Sequence, residues 1–455
     1  MNDVGIEIPE ILLPKGADLS KGVNLEQWAV IACDQFTQDR SYWEKAREAA
    51  AGSPSTLNLI FPEVFLEDEG RAGRIESIHR TMRDYADGGV FAAPRRGLVY
   101  LERDTPFNRG RKGLVAAIDL EQYDWSPTAR PLIRPTEGTV PERLPPRMDI
   151  RRNAPIETPH IILLIDDDTD SLLAKLGERA KKNAPAYQGE LMLNSGSISG
   201  WLLDEPDDWA FLTAELEALA RRAVTRYGGG DDSSASGQPF LFAVGDGNHS
   251  LASAKGIWEE YKKKHGGGGS VPVHPCRYAL VEIENIYDPA IQFEPIHRVV
   301  FGLGFDDTLK LLSALPGFSS RTITSREELV RLTAEPVNGN RFGIVCGGRY
   351  AIVSTDAAGI ATASLQPLLD QAVNNNRALS IDYLHGEDEL FRLACASSVE
   401  AIAPEKSVTG ILLPPVQKDG FFQTIARGGP LPRKSFSMGE AEEKRFYIEC
   451  RKLFG

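Results

Sequence analysis

The stretch QPFLFAVGDGNHSLASAKGIWEEYKKK, residues 238–264, constrains the fold of this chain more than any other. Its first part, QPFLFAV, is short, apolar and aromatic, which suits a buried strand. Its last part, SLASAKGIWEEYKKK, combines Ala, Leu and Trp with late lysines, the composition of a helix with a positive C-terminal turn. Residues 239–262 are therefore expected to run strand, turn, helix, with the turn at 245–248. At such a junction, free backbone N–H groups and the helix dipole favour an anion. The same residues also serve a plain turn, with Asn248 as the helix cap, Gly245 and Gly247 easing the backbone, and Asp246 capping or solvated.

Elsewhere the pattern alternates irregularly. SYWEKAREAA (41–50) reads as a helix start with Ser41 as cap and Glu44 closing a capping box. RAGRIESIHRTMRDYADGG (71–89) reads as an amphipathic helix closed by Gly88 and Gly89. GLVYLERD (97–104) and KGLVAAIDLEQYDW (112–125) read as paired strands, and PHIILLIDDD (159–168) as a strand with an acidic end. GGGDDSSASGQ (228–238) and KKKHGGGGS (262–270) read as flexible loops on either side of the opening segment. This mixture predicts an α/β or mixed α+β protein rather than a doubly wound parallel sheet. Three regions are expected: an N-terminal α/β region (1–150), a central region carrying the turn (151–302), and a C-terminal α/β region (303–455).

A net charge of −13 argues against a nucleic-acid binder, which needs a basic face. No apolar run is long enough for a membrane span, and MNDVGIEIPE lacks the basic and apolar regions of a signal peptide. The five cysteines are scattered and the seven histidines dispersed, with no metal-ligand spacing among them. The expectation is a cytoplasmic protein with reduced thiols and no protein-built metal site, acting on a small molecule without nucleic acid or membrane partners. Its oligomeric state is open, a homodimer included.

Three polar clusters accompany the turn. In the Pro-rich connector, Arg134, Glu137 and Arg143 suit phosphate recognition, because guanidinium pairs phosphate oxygens in a bidentate way. A glutamate held there could take a proton from a hydroxyl nucleophile. His297 and Arg298 follow Pro295 at the end of another polar stretch, and Lys434 lies in a basic tetrad near the C-terminus.

Taken in order, GLVAAIDLEQYD, RPTEGTVPERL, APIETPHIILLID, VGDGNHSLASA, FEPIHRVV and ILLPPVQKDGFFQTIARGGPLPRKS resemble the domain of unknown function 1015 family over roughly residues 90–440. The family signature has the form Ala-Asp-Gly-His-His-Arg. Here Asp246, Gly247 and His249 match, Asn248 stands in place of the first histidine and Ser250 in place of the arginine. The signature is similar to that of ParB-like free-serine kinases, where such a turn sits beside nucleotide phosphates. The resemblance implies a ParB/sulfiredoxin-like strand-turn-helix core in a protein of two or three subdomains. It also implies a small-molecule phosphotransferase using ATP or ADP with Mg²⁺ and acting on free serine or a similar hydroxyl metabolite. On that reading Asp246, His249 and Glu137 are catalytic. Gly245, Gly247, Asn248, Arg134, Arg143, His297, Arg298 and Lys434 hold phosphate or substrate. Two other readings use the same turn: a non-catalytic sensor of a nucleotide or phosphometabolite, and a hydrolase with His249 as base.

Overall fold

The computed structural model describes residues 4–15, 24–227, 238–266, 273–395 and 407–454, a mixed α+β protein. The glycine-rich loop expected at 228–238 lies outside the described residues except for Gln238, whereas in the loop expected at 262–270 residues 262–265 are helical, ending the helix Asn248–His265, and 267–270 lie outside the described residues. Two compact units form, one from residues 1–291 with 439–455, the other from 292–438. The boundaries expected at 150 and 302 are thus corrected, and the reason is sheet pairing. Strands on both sides of residue 150 share one sheet, and among the described residues the strand Phe293–Phe301 pairs only with strands that follow it.

The first unit is built on a mixed sheet. Its strands run in the order Tyr187–Glu190, Ser197–Leu203, Leu98–Asp104, Arg111–Asp119, Tyr278–Asn285, Ile162–Ile165, Phe242–Asp246 and Ile133–Pro135. Leu98–Asp104 and Arg111–Asp119 pair antiparallel as the sequence suggests, with Val99 opposite Val115. Phe242–Asp246 lies between an antiparallel neighbour, Ile162–Ile165, and a parallel one, Ile133–Pro135. The central strands are buried on both faces, which explains why FLFAV and IILLI read as continuous apolar runs. The last residues of the chain return to this unit: Phe446 pairs with Ile31, and Arg451 with Glu157.

One helix start differs from expectation. The helix Arg40–Ala49 is capped by Asp39, whose carboxylate accepts the Ser41 and Tyr42 N–H groups at 2.9 and 3.2 Å. Tyr42 and Trp43 are buried, so the helix must already be wound where they enter the core.

The second unit is an antiparallel sheet in the order Ser319–Ile323, Arg349–Thr355, Asn340–Cys346, Val408–Leu412, Phe293–Phe301 and Ser380–His385, with Phe436–Met438 beside the start of Phe293–Phe301. Successive strand residues enter opposite cores. Val299 and Val345 pack with Leu329 and Leu390, whereas Val300 and Ile344 pack with Leu312 and Leu365. Helices therefore cover both faces of this sheet.

Candidate functional site

The opening segment folds as a strand, Phe242–Asp246, a single turn residue, Gly247, and an 18-residue helix, Asn248–His265. Gly245 sits where the pairing register with Ile162–Ile165 shifts, a β-bulge that ends regular pairing before Asp246. Gly247 has φ +80°, and a Cβ there would lie 3.1–3.2 Å from Ile161. Both facts demand glycine. Gly247 is itself the N-cap residue, with no side-chain cap bond, which corrects the expectation that Asn248 caps the helix. Asn248 instead locks onto Thr136. Its Oδ1 accepts the Thr136 N–H at 3.2 Å and its Nδ2 donates to Thr136 Oγ1 at 3.2 Å, while that hydroxyl donates to the Val244 carbonyl at 2.6 Å.

Asp246 stands at the open end of the sheet, its carboxylate 21% exposed. One oxygen accepts the Gly247 N–H at 2.9 Å; the other lies 3.5 Å from Lys444 Nζ, whose side chain is only 9% exposed. Lys444 is held there by two buried arginines. Arg103 donates to the carbonyls of Glu442, Glu443 and Lys444 at 2.6, 3.2 and 2.6 Å, and Arg111 donates to that of Glu443 at 2.7 Å. Burial, then the neighbouring Arg111, pushes Arg103 down to about 9, while carbonyl acceptors offset its desolvation. His249, half-buried, accepts the Val140 N–H on Nε2 at 3.3 Å. The turn thus brings together an accessible acid, a buried cation, an imidazole and the positive end of a helix.

The other expected residues divide. Thr136 and Val140 bring the 136–140 segment against the turn, and Glu137 lies within it at a half-buried position. Arg143 follows in the short 3₁₀ helix Pro141–Arg143 and is exposed. Arg134 is a correction. Its guanidinium reaches back toward the start of its strand, donating to the Pro131 and Gln238 carbonyls at 3.0 and 3.3 Å and lying 4.6 Å from the Phe240 ring centre. Burial and Arg130 push it down to about 10, and the two carbonyls hold it at the start of its strand.

His297, Arg298 and Lys434 belong to the second unit and are occupied within it. His297 is buried and accepts the Leu413 N–H on Nδ1 at 3.1 Å. Arg298, fully buried, donates to Gln366 Oε1 at 2.9 Å, to the Lys434 carbonyl at 2.8 Å and to the Ile296 carbonyl. Lys434 is exposed in a left-handed turn at φ +58°, a turn anchored by that bond from Arg298. The interleaved histidine and arginine that suggested a phosphate contact are core polar groups paired with carbonyls and amides.

Sequence reasoning missed Lys444, Thr136 and His160. His160 lies just before the strand Ile162–Ile165, its Nε2 2.8 Å from Ser250 Oγ and its Nδ1 2.8 Å from Tyr447 Oη. All three residues line a cavity of about 140 Å³ beside the first turn of the Asn248–His265 helix. Among the described residues, no group of three or more His, Cys, Asp or Glu side chains could hold a metal, and all five cysteines are free. Also among the described residues, no helix is long and apolar enough to cross a membrane.

No curated protein matches this sequence. Among solved structures, a conserved hypothetical protein from Pyrococcus furiosus is similar at 11% identity, covering 75% of this chain and 95% of that one with a TM-score of 0.34. A free serine kinase in complex with AMP is similar at 12% identity, covering 77% and 95% with a TM-score of 0.35. SbnI with C-terminal truncation from Staphylococcus aureus is similar at 10% identity, covering 73% and 86% with a TM-score of 0.34. Residues 16–372, most of the chain, match the model of the family described as protein of unknown function (DUF1015), and the chain belongs to that family.

Proposed function

We propose that the chain is a small-molecule phosphotransferase, with a nucleotide donor such as ATP or ADP bound at the Gly245–Ser250 turn and a hydroxyl-bearing metabolite as acceptor. The observation that carries the reading is the pairing of accessible Asp246 with buried Lys444 beside the left-handed Gly247, at the N-terminus of a long helix. Phosphoryl transfer needs positioning and charge neutralisation more than covalent chemistry. Lys444 and the N-terminal end of the helix dipole supply positive potential, and Arg143 stands exposed nearby in sequence. Asp246 is the one carboxylate of the turn, enough for Mg²⁺ held mainly by phosphates and water. Such an ion would neutralise phosphate charge. Glu137 is the candidate to take the acceptor's proton, and His249, whose Nε2 accepts the Val140 N–H, is the candidate to donate from Nδ1 to the transferring phosphoryl group.

The test is ³¹P NMR of the chain with ATP or ADP and a panel of hydroxyl metabolites, comparing wild type with Asp246→Asn. Asn keeps the shape and loses the charge. A lost transition-state contact of this kind costs roughly two to three orders of magnitude in rate. Equal turnover in both proteins would refute the role of Asp246. Nucleotide-induced stabilisation of both without any turnover would replace the transferase with a sensor.

A further inference from the structure

The cavity beside the turn has a composition that bears on what the acceptor is. Its walls are apolar, formed by Leu59, Phe61, Met82, Ile150, Leu280 and Leu453 among others. Its acids are taken. Glu63 pairs with Arg147, and Glu157 with both Arg151 and Arg451, so neither carboxylate is left for a ligand ammonium. The polar end is the hydrogen-bonded row Ser250, His160 and Tyr447. Tyr447 Oη accepts the Cys33 N–H at 3.2 Å, and the His160 imidazole bridges the Tyr447 and Ser250 hydroxyls through its two ring nitrogens. Ile161 ties this cavity to the turn, since it lines the cavity and also backs Gly247.

We infer that this cavity seats a small alcohol with an apolar body and no ammonium group, its hydroxyl bonded at the Ser250–His160 pair, and does not seat a zwitterionic amino acid such as serine. Binding follows from the cavity alone; calling the alcohol the acceptor rests on the transferase reading above. In that role the alcohol oxygen bonds to the donor's terminal phosphorus. The phosphorus–oxygen bond to the leaving nucleotide breaks with its electron pair on the nucleotide oxygen, and the hydroxyl proton passes to Glu137, the base of that reading.

Calorimetric titration of the full chain without nucleotide, using benzyl alcohol, benzylamine and L-serine, tests the seat. Benzyl alcohol should bind saturably, with its isosteric cation benzylamine and L-serine at least about tenfold weaker. Ile150→Trp, which fills the cavity from a half-buried position, should abolish saturable binding without lowering the thermal unfolding midpoint. Ser250→Ala, the smaller change should the first variant not fold, should weaken binding about three- to tenfold. Non-saturable benzyl alcohol binding, or L-serine binding that Ile150→Trp removes, would overturn the assignment. Phosphorylation of L-serine without benzyl alcohol binding would sink the cavity inference and leave the transferase standing. Saturable benzyl alcohol binding with no transfer to any alcohol would keep the cavity's preference and sink the transferase.

Discussion

His297 shows at the scale of one residue how a reactive-looking side chain can be absorbed by the fold. An unfolded histidine titrates near 6.5. In the second unit, burial first, then the charges of Arg298 and His385, push His297 down to about 4. The folded state therefore keeps the ring neutral between those values, while the unfolded chain takes up a proton. Stability from neutral His297 is full above about pH 6.5 and is lost as the pH falls through about 4. The slope from one such group is at most about 1.4 kcal/mol per pH unit. His297→Gln, which can still accept the Leu413 N–H, should flatten the fall in urea midpoint of the second unit between pH 7 and pH 5. An unchanged fall would assign it to other groups. The same residue marks what was legible in the sequence. The turn at Asp246 could be read because its signals are local: an apolar run, two glycines and a change of period. His297, Arg298 and Arg134 were misread because an arginine or histidine among apolar residues finds carbonyls and amides as readily as it finds phosphate. Lys444 was invisible, since nothing near it in sequence announces Asp246.

At the scale of elements, the site depends on a tail that returns to the first unit. Residues 442–445 are held by side chains from three central strands rather than by a regular ladder. Arg103 and Arg111 reach the tail's carbonyls, and Arg445 lies 3.0 Å from Glu282 and also pairs with Glu449. Arg103 also lies over the Phe446 ring at 4.9 Å. Arg103→Met takes the Arg103 donors from the part-buried Glu442 and buried Lys444 carbonyls, Glu443 keeping its bond from Arg111, and each unsatisfied group costs on the order of 1–3 kcal/mol. Loss of at least about 2 kcal/mol in the first unit is expected, with faster amide exchange at residues 443–445. Unaltered exchange at Lys444 would mean that the tail is positioned by other contacts. This element could not be placed from sequence, because its pairing partners, Ile31 and Glu157, lie at the other end of the chain.

At the scale of the whole molecule, the second unit interrupts the first. Its entry and exit are neighbours in one sheet: Phe293 pairs with Met438, Glu294 with Ser437 and Pro295 with Phe436. Paired residues of antiparallel strands have Cα atoms about 5 Å apart, so the interruption begins and ends at nearly one point. Among the described residues, two hydrophobic cores of this unit draw only on residues between 299 and 413, a third cluster of Phe293, Phe421 and Phe436 also lies within it, and its sheet takes no strand from outside 292–438. The three-region reading failed here because a run of strands carries no mark of which sheet each will join, and the strand at 293–301 looks continuous with the one before it. The pairing predicts that residues 292–438, produced alone, unfold cooperatively in urea with dispersed amide resonances. The complementary chain, 1–291 joined to 439–455 through about four residues of Gly and Ser, spans the gap at roughly 3.3–3.6 Å per residue. It should retain its own transition, because the sheet, the Asp246–Lys444 pair and the arginines that hold the tail all lie within it. If the excised unit showed no cooperative transition while the rejoined chain did, the second unit would owe its fold to the first. Two independent transitions would instead establish an insertion, and would let the turn at Asp246 be assayed without the residues of 292–438.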